Sequence, residues 1–245
     1  MRSPRCLLFI ALLSAAPALL AVDKGYKKDD EAIIGSQSFL ASHPDLRSRK
    51  LGMESYLDGD HIEALRQFRK GAYYADKPSQ AMVADMLWNG QGAAQDRAEA
   101  YVWMDMAAER LYKDFIAKRE QYWAQLDATQ RAQALAKGPG LYAKYGDAAA
   151  KPRIERILER DRRNITGSRT GYVSANLKIQ LPGPNGYIDI DANQFYQEKF
   201  WQPEQYWQWQ SVTWKALPTG TVTTSGLKAV APAPTDDNDD NDDEP

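Results

Sequence analysis

The chain has 245 residues, 26% of them charged, and 31 bases against 33 acids leave a formal net charge of −2. That length accommodates one large domain or two small ones around a buried core, and so even a balance gives no strong field for nucleic acid or anionic lipid. Cys6 is the only cysteine, and His43 and His61 are the only histidines; an intrachain disulfide and a cysteine-based metal site are excluded, and a metalloenzyme has few ligands to draw on.

Residues 1–21 have the pattern of an export signal: Arg2 and Arg5, an apolar run from Leu7 to Ala16 broken only by Ser14, then Pro17 and small residues up to Ala21. The run is too short for a stable membrane anchor, so the expected location is periplasmic or secreted, with the membrane a partner only during export. Cys6 falls inside this signal. From residue 29 to 163 the chain predicts successive helices, with apolar residues three and four apart and a stop signal at each turn. Asp29 to Leu40 is expected to cap the N-terminal side. Asp45 opens a segment through Leu57, closed by Asp58-Gly59-Asp60. His61 to Ala75 places Ile62, Leu65, Phe68 and Ala72 on one stripe. Lys77-Pro78-Ser79 restarts the chain, with Met82, Val83, Met86 and Leu87 facing inward. Asn89-Gly90-Gln91-Gly92 ends that helix, and Asp96 is placed to cap the next, through about Leu111.

These four segments form two copies of one unit, residues 46–75 and 79–112. Ala64 to Ala72 lies 36 residues before Ala100 to Ala108, and Tyr56 to Gly59 lies 31 before Leu87 to Gly90, the loop after Gly90 taking up the difference. A period of this size built from helix–turn–helix units predicts a short α-solenoid. The residues Leu87-Trp88-Asn89-Gly90-Gln91-Gly92, Asp96, Ala100, Trp103 and Ala107-Ala108 resemble a Sel1-like repeat, a relative of the tetratricopeptide repeat. Ala93 and Glu99 depart from that pattern, where Val and Lys are usual. The first copy, with Gln67 in the Trp position and a shorter loop, is nearer a plain tetratricopeptide unit. The resemblance implies a non-catalytic scaffold that holds a protein or peptide partner on a concave helical face.

Each repeat position has a packing reason. Gly90 and Gly92 suit a tight inter-helix turn at positive φ. Ala100, Ala107 and Ala108 allow close helix approach, Trp103 fills the space between units, and Gly59, Ala64 and Ala72 are the corresponding positions of the first copy. Further helices are expected over Tyr112 to Leu126, Asp127 to Tyr145 and Pro152 to Arg163; Asp127 and Gln130 fit a capping box, and Pro152 suits a first helical turn. Lys151 to Arg163 mixes six bases with three acids, consistent with a solvated face or with a docking stripe for an acidic partner or, within the chain, for the acidic tail.

Residues 164–215 change texture. Tyr172-Val173, Leu177 to Gln180 and Tyr187 to Ile190 have strand character, with Pro182 to Gly186 as a hairpin loop. An aromatic run then holds Phe195, Phe200, Trp201, Tyr206, Trp207, Trp209 and Trp214. Trp201, Tyr206, Trp207 and Trp209 either staple the helical core, the favoured expectation, or stack on a cell-wall glycan. Helix or strand stays open for Pro203 to Gln210. Residues 216–245 lack the apolar surface to order themselves, and their last ten carry seven acids. The −2 is therefore a +2 signal, a +3 body and a −7 tail. No phosphate loop or nucleophile elbow appears. His43 and His61 stand at helix starts, where a capping or surface role is expected. Asn164-Ile165-Thr166 is a formal glycosylation sequon. The expected protein is mainly α, with a small hairpin and an acidic tail. It would use no cofactor or metal, catalyse no reaction and bind a protein or peptide, with a glycan as the alternative.

Overall fold

The computed structural model describes residues 28–163, 177–183 and 186–215. The export signal, the sequon, Tyr172-Val173 and the acidic tail lie outside the described residues. The protein is mainly helical and carries one two-stranded antiparallel sheet.

The N-terminal side is divided into two short helices, α1 (Lys28–Gly35) and α2 (Gln37–Ser42). Ser36 is the cause. Its backbone is extended and its Oγ accepts from Phe39 N at 3.3 Å, starting a new helix one residue after the last one stops. Next come α3 (Pro44–Leu57), α4 (His61–Tyr73), α5 (Lys77–Asn89) and α6 (Arg97–Ala107), each packed on the one before it. Aspartate caps three of these starts: Asp60 accepts from Glu63 N, Asp76 from Ser79 N and Asp96 from Glu99 N. Gly90 and Gly92 have positive φ, as expected, and Gly59 does as well.

Helix α5 is the most enclosed, buried on nearly every side from Lys77 to Trp88. The stripe on α4 is corrected at one position, because Ile62 is 74% exposed. The buried set is Ala64, Leu65, Phe68, Gly71 and Ala72, and at about 100° per residue Ile62 lies roughly a third of a turn from its centre. A 3₁₀ turn, Ala108–Arg110, leads to α7 (Lys113–Gln125) and α8 (Ala128–Tyr145). The Asp127–Gln130 capping box is present. Helix α9 runs over Asp147–Arg163, so Pro152 lies beyond its first turn, contrary to expectation. Gly146 starts the helix early by accepting from Ala149 N and Ala150 N.

Strands β1 (Lys178–Gly183) and β2 (Gly186–Asp191) pair with Ile179 opposite Ile190 and Leu181 opposite Ile188. The period of two puts those apolar side chains on one face. Short helices α10 (Ala192–Phe195) and α11 (Glu198–Trp201) follow, then α12 (Pro203–Lys215), which settles the Pro203–Gln210 ambiguity as helix. Two main cores result. Helices α4 to α8 share one around Phe68, Met86 and Trp103. The other joins α1 and α2 to the segment from β1 to α11, with Ile33, Phe39 and Leu40 against Leu181, Ile190, Phe195, Phe200 and Trp201.

Candidate functional site

Where the C-terminal ends of α4 and α8 meet the start of α3, the surface forms an open cleft of about 500 Å³. Five cationic side chains line it: Arg47 from α3, Arg66, Arg69 and Lys70 from α4, and Lys144 from α8. No acidic residue does. Arg66, Arg69, Lys70 and Tyr73 are three and four apart, which puts them on one helix face. Tyr73, Tyr74 and Tyr145 add ring surface, with Tyr73 and Tyr74 edge to face at 5.2 Å. Trp103 supports Tyr145 from below at 4.6 Å.

Two helix C-termini would normally present their negative ends here. Arg153 of α9 takes those carbonyls, donating from Nη1 to Tyr73 O at 3.0 Å and to Lys144 O at 2.6 Å. Its guanidinium also lies 3.8 Å from the centre of the Tyr73 ring. Arg66 pairs with Glu63, and Arg69 lies 3.6 Å from Glu99. Arg47, Lys70 and Lys144 are exposed and form no ion pair among the described residues. The cleft is thus a set of N–H donors beside aromatic rings, with no carboxylate to act as a base. It suits an oxygen-rich anion held by charge-assisted hydrogen bonds.

Ala64, Ala72, Leu87, Ala100, Trp103, Ala107 and Ala108 are buried. Trp103 Nε1 donates to Glu99 Oε1 at 3.2 Å, and Asp96 both caps α6 and pairs with Lys137. Lys77 is buried between Glu109 at 2.5 Å and Asp147 at 2.9 Å, tying α5 to α9. Burial opposes the Asp147 charge, but the Arg110 and Lys77 cations outweigh it and lower its pKa to about 2.

The aromatic run is split by its helices. Trp201 (3% exposed) and Tyr206 (0%) are core residues, which corrects their assignment as possible stacking faces. Trp207 and Trp209 are half-buried. Trp207 sits near Arg110 at 4.5 Å and Lys151 at 4.9 Å and donates to Glu155 at 2.7 Å. On the α9 basic stripe, Arg160 pairs with Asp161 and Arg163 approaches Glu159.

A second polar cluster holds α12 to the start of α3, and it corrects the expected role of His43. This ring is fully buried, stacked on Phe39 at 3.8 Å, with Nδ1 2.8 Å from Phe39 O and Nε2 2.9 Å from Phe200 O. Burial lowers its pKa to about 4 against the pull of both carbonyls. Two residues on, Asp45 accepts from the buried Tyr206 hydroxyl, and burial followed by the nearby Asp76 charge raises its pKa to about 6.

The chain matches no protein-family model, no curated protein and no solved structure. Among the described residues, no group of three or more His, Cys, Asp or Glu has metal-holding geometry, and no helix is long and apolar enough to cross a membrane. The basic cleft was missed in the sequence because its residues come from three helices. The spacing of Arg66, Arg69 and Lys70 was the one local signal.

Proposed function

We propose that this protein is a non-catalytic interaction scaffold that binds an acidic segment of a partner protein in the basic cleft. In this reading α3–α4 and α5–α6 are two units of a short Sel1-like α-solenoid, and the chain acts after export through residues 1–21. The observation that carries it is the convergence of five cations and three tyrosines, with no lining acid, in one cleft. Exposed charge-assisted contacts of this kind confer orientation and on-rate more than affinity, so binding should be modest and sensitive to salt. The body charge of +3 over residues 22–235 remains too small for a nucleic-acid surface.

The test is fluorescence anisotropy with a labelled Asp/Glu-rich peptide and its Asn/Gln counterpart. The acidic peptide should bind, weaken as salt rises, and lose at least tenfold in affinity with Arg47→Glu and Lys70→Glu, the helical circular dichroism unchanged. Equal binding of the neutral peptide would sink the proposal. The glycan reading retains one observation in its favour: half-buried Tyr196 lines a pocket of about 310 Å³ with Ser38, Ser42 and Asp161. A response of tryptophan fluorescence to muropeptides or chitooligosaccharides, absent in Ser42→Ala, would support that pocket instead.

A further inference from the structure

We propose that the acidic stretch Asp236–Glu244 of the same chain docks in the basic cleft and masks it from partners; this rests on reading the cleft as a site for acidic segments. The first ground is charge complementarity. The stretch holds seven carboxylates in nine residues with no base. The cleft holds five cations with no lining carboxylate, and three of those cations have no ion-pair partner among the described residues. The basic run on α9 is the other possible destination in the body. It is interrupted by Glu155, Glu159 and Asp161, and two of its arginines already face those acids.

The second ground is reach. Helix α12 ends at Lys215, and the ring of Trp214 lies 5.7 Å from the guanidinium of Arg49. Arg49 lies on α3, the helix that also supplies Arg47 and Ser48 to the cleft, so the described chain ends against a helix that lines it. Twenty residues, 216 to 235, separate Lys215 from Asp236. That length reaches at most about 70 Å, enough to place the carboxylates over Arg47 and Lys70. Tethering within one chain can hold a group at an effective concentration on the order of 1 mM. A stretch whose own Kd is near a tenth of that would hide the cleft about tenfold. The repeated Asp-Asp pairs at 236–237, 239–240 and 242–243 offer equivalent registers, so occupancy does not require one fixed pose.

The experiment uses the full chain and a full-length variant with all seven acids neutralised (Asp→Asn at 236, 237, 239, 240, 242 and 243, and Glu244→Gln). The probe is a fluorescent peptide of residues 234–245. The neutralised chain should bind the probe about ten times more tightly than the parent, and adding Lys70→Glu with Lys144→Glu should remove that binding. Carbodiimide cross-linking of the parent monomer should join residues 236–244 to Lys70 and Lys144, and the links should vanish near 1 M salt. Equal probe affinity for parent and neutralised chains would overturn masking while leaving the acidic-segment reading in place. No probe binding to the neutralised chain would overturn both. Links to Lys151, or links found only in dimers, would overturn docking in the cleft of the same chain.

Discussion

His43 and Asp45 stand two residues apart at the start of α3, both buried, and their pH dependences oppose each other. The depressed pKa of His43, about 4 against 6.5, gives a contribution that is complete above pH 6.5 and lost as pH falls through 4. The raised pKa of Asp45, about 6 against 3.8, gives one that is complete below pH 3.8 and lost as pH rises through 6. Each shift corresponds to roughly 3 kcal/mol at about 1.4 kcal/mol per unit, so between pH 4 and 6 the two nearly cancel. The charges that surround them are Asp76 and Arg49 beside Asp45, and Asp161 beside His43. Relative to the parent, His43→Gln should gain stability as pH falls from 7 to 4, and Asp45→Asn should lose it, each by up to about 3 kcal/mol. Urea denaturation at pH 7, 5.5 and 4.5 measures both; a parent-like profile in either variant would contradict the opposition. Trp103 is a simpler case, being buried with its ring against Tyr145. Trp103→Ala should cost about 3–5 kcal/mol, read as a lower denaturation midpoint.

At the scale of elements, the two inter-helix turns separate backbone strain from packing. Gly59 (φ 81°) faces open space, whereas a Cβ on Gly92 (φ 75°) would run into the carbonyl of His61 at the start of α4. Gly59→Ala should therefore cost only the left-handed penalty, about 1–2 kcal/mol. Gly92→Ala should cost about 3 kcal/mol or more, because backbone cannot move aside as a flexible side chain does. Equal thermal midpoints for the two variants would mean that the α5–α6 loop does not press on α4. The turns at Gly59 and Gly90 and the cap of α6 were legible in sequence because Gly59, Gly90 and Asp96 act through neighbours a few residues away, whereas the caps by Asp60 and Asp76 emerged only from the structure. Ile62 was misplaced because its helix stripe is set by what α3 and α5 cover, a tertiary matter. The fully buried His43 escaped for the same reason: its Nε2 faces the carbonyl of Phe200, 157 residues on. The cleft was the least legible feature, since Arg47, Lys70 and Lys144 meet only after α3, α4 and α8 have packed.

Across the described residues, the decisive contact is between the N-terminal helices α1 and α2 and the segment from β1 to α12. Phe39 of α2 is ringed by Phe195, Phe200 and Trp201 at 5.3–6.1 Å, and Lys199 reaches Asp30 at 2.6 Å. Tyr206 reaches back to Asp45, and the main-chain oxygen of Phe200 meets His43. The aromatic segment is therefore more than a lid laid on a finished helical array, because α1 and α2 have their hydrophobic partners in it. Trp201 is the natural probe: its indole N–H donates to Phe195 O at 2.8 Å, and its ring touches Phe39, His43, Phe195 and Tyr196. Trp201→Ala should cost about 3–5 kcal/mol and should raise amide exchange at Phe39 and Leu40 along with that of residues 195–206. The helices α5 and α6 have their own core around Met86 and Trp103, so their exchange should change least. If protection at Phe39 and Leu40 instead survived while residues 195–206 opened, α1 and α2 would be held by the helical body alone. The C-terminal segment would then be a separable cap.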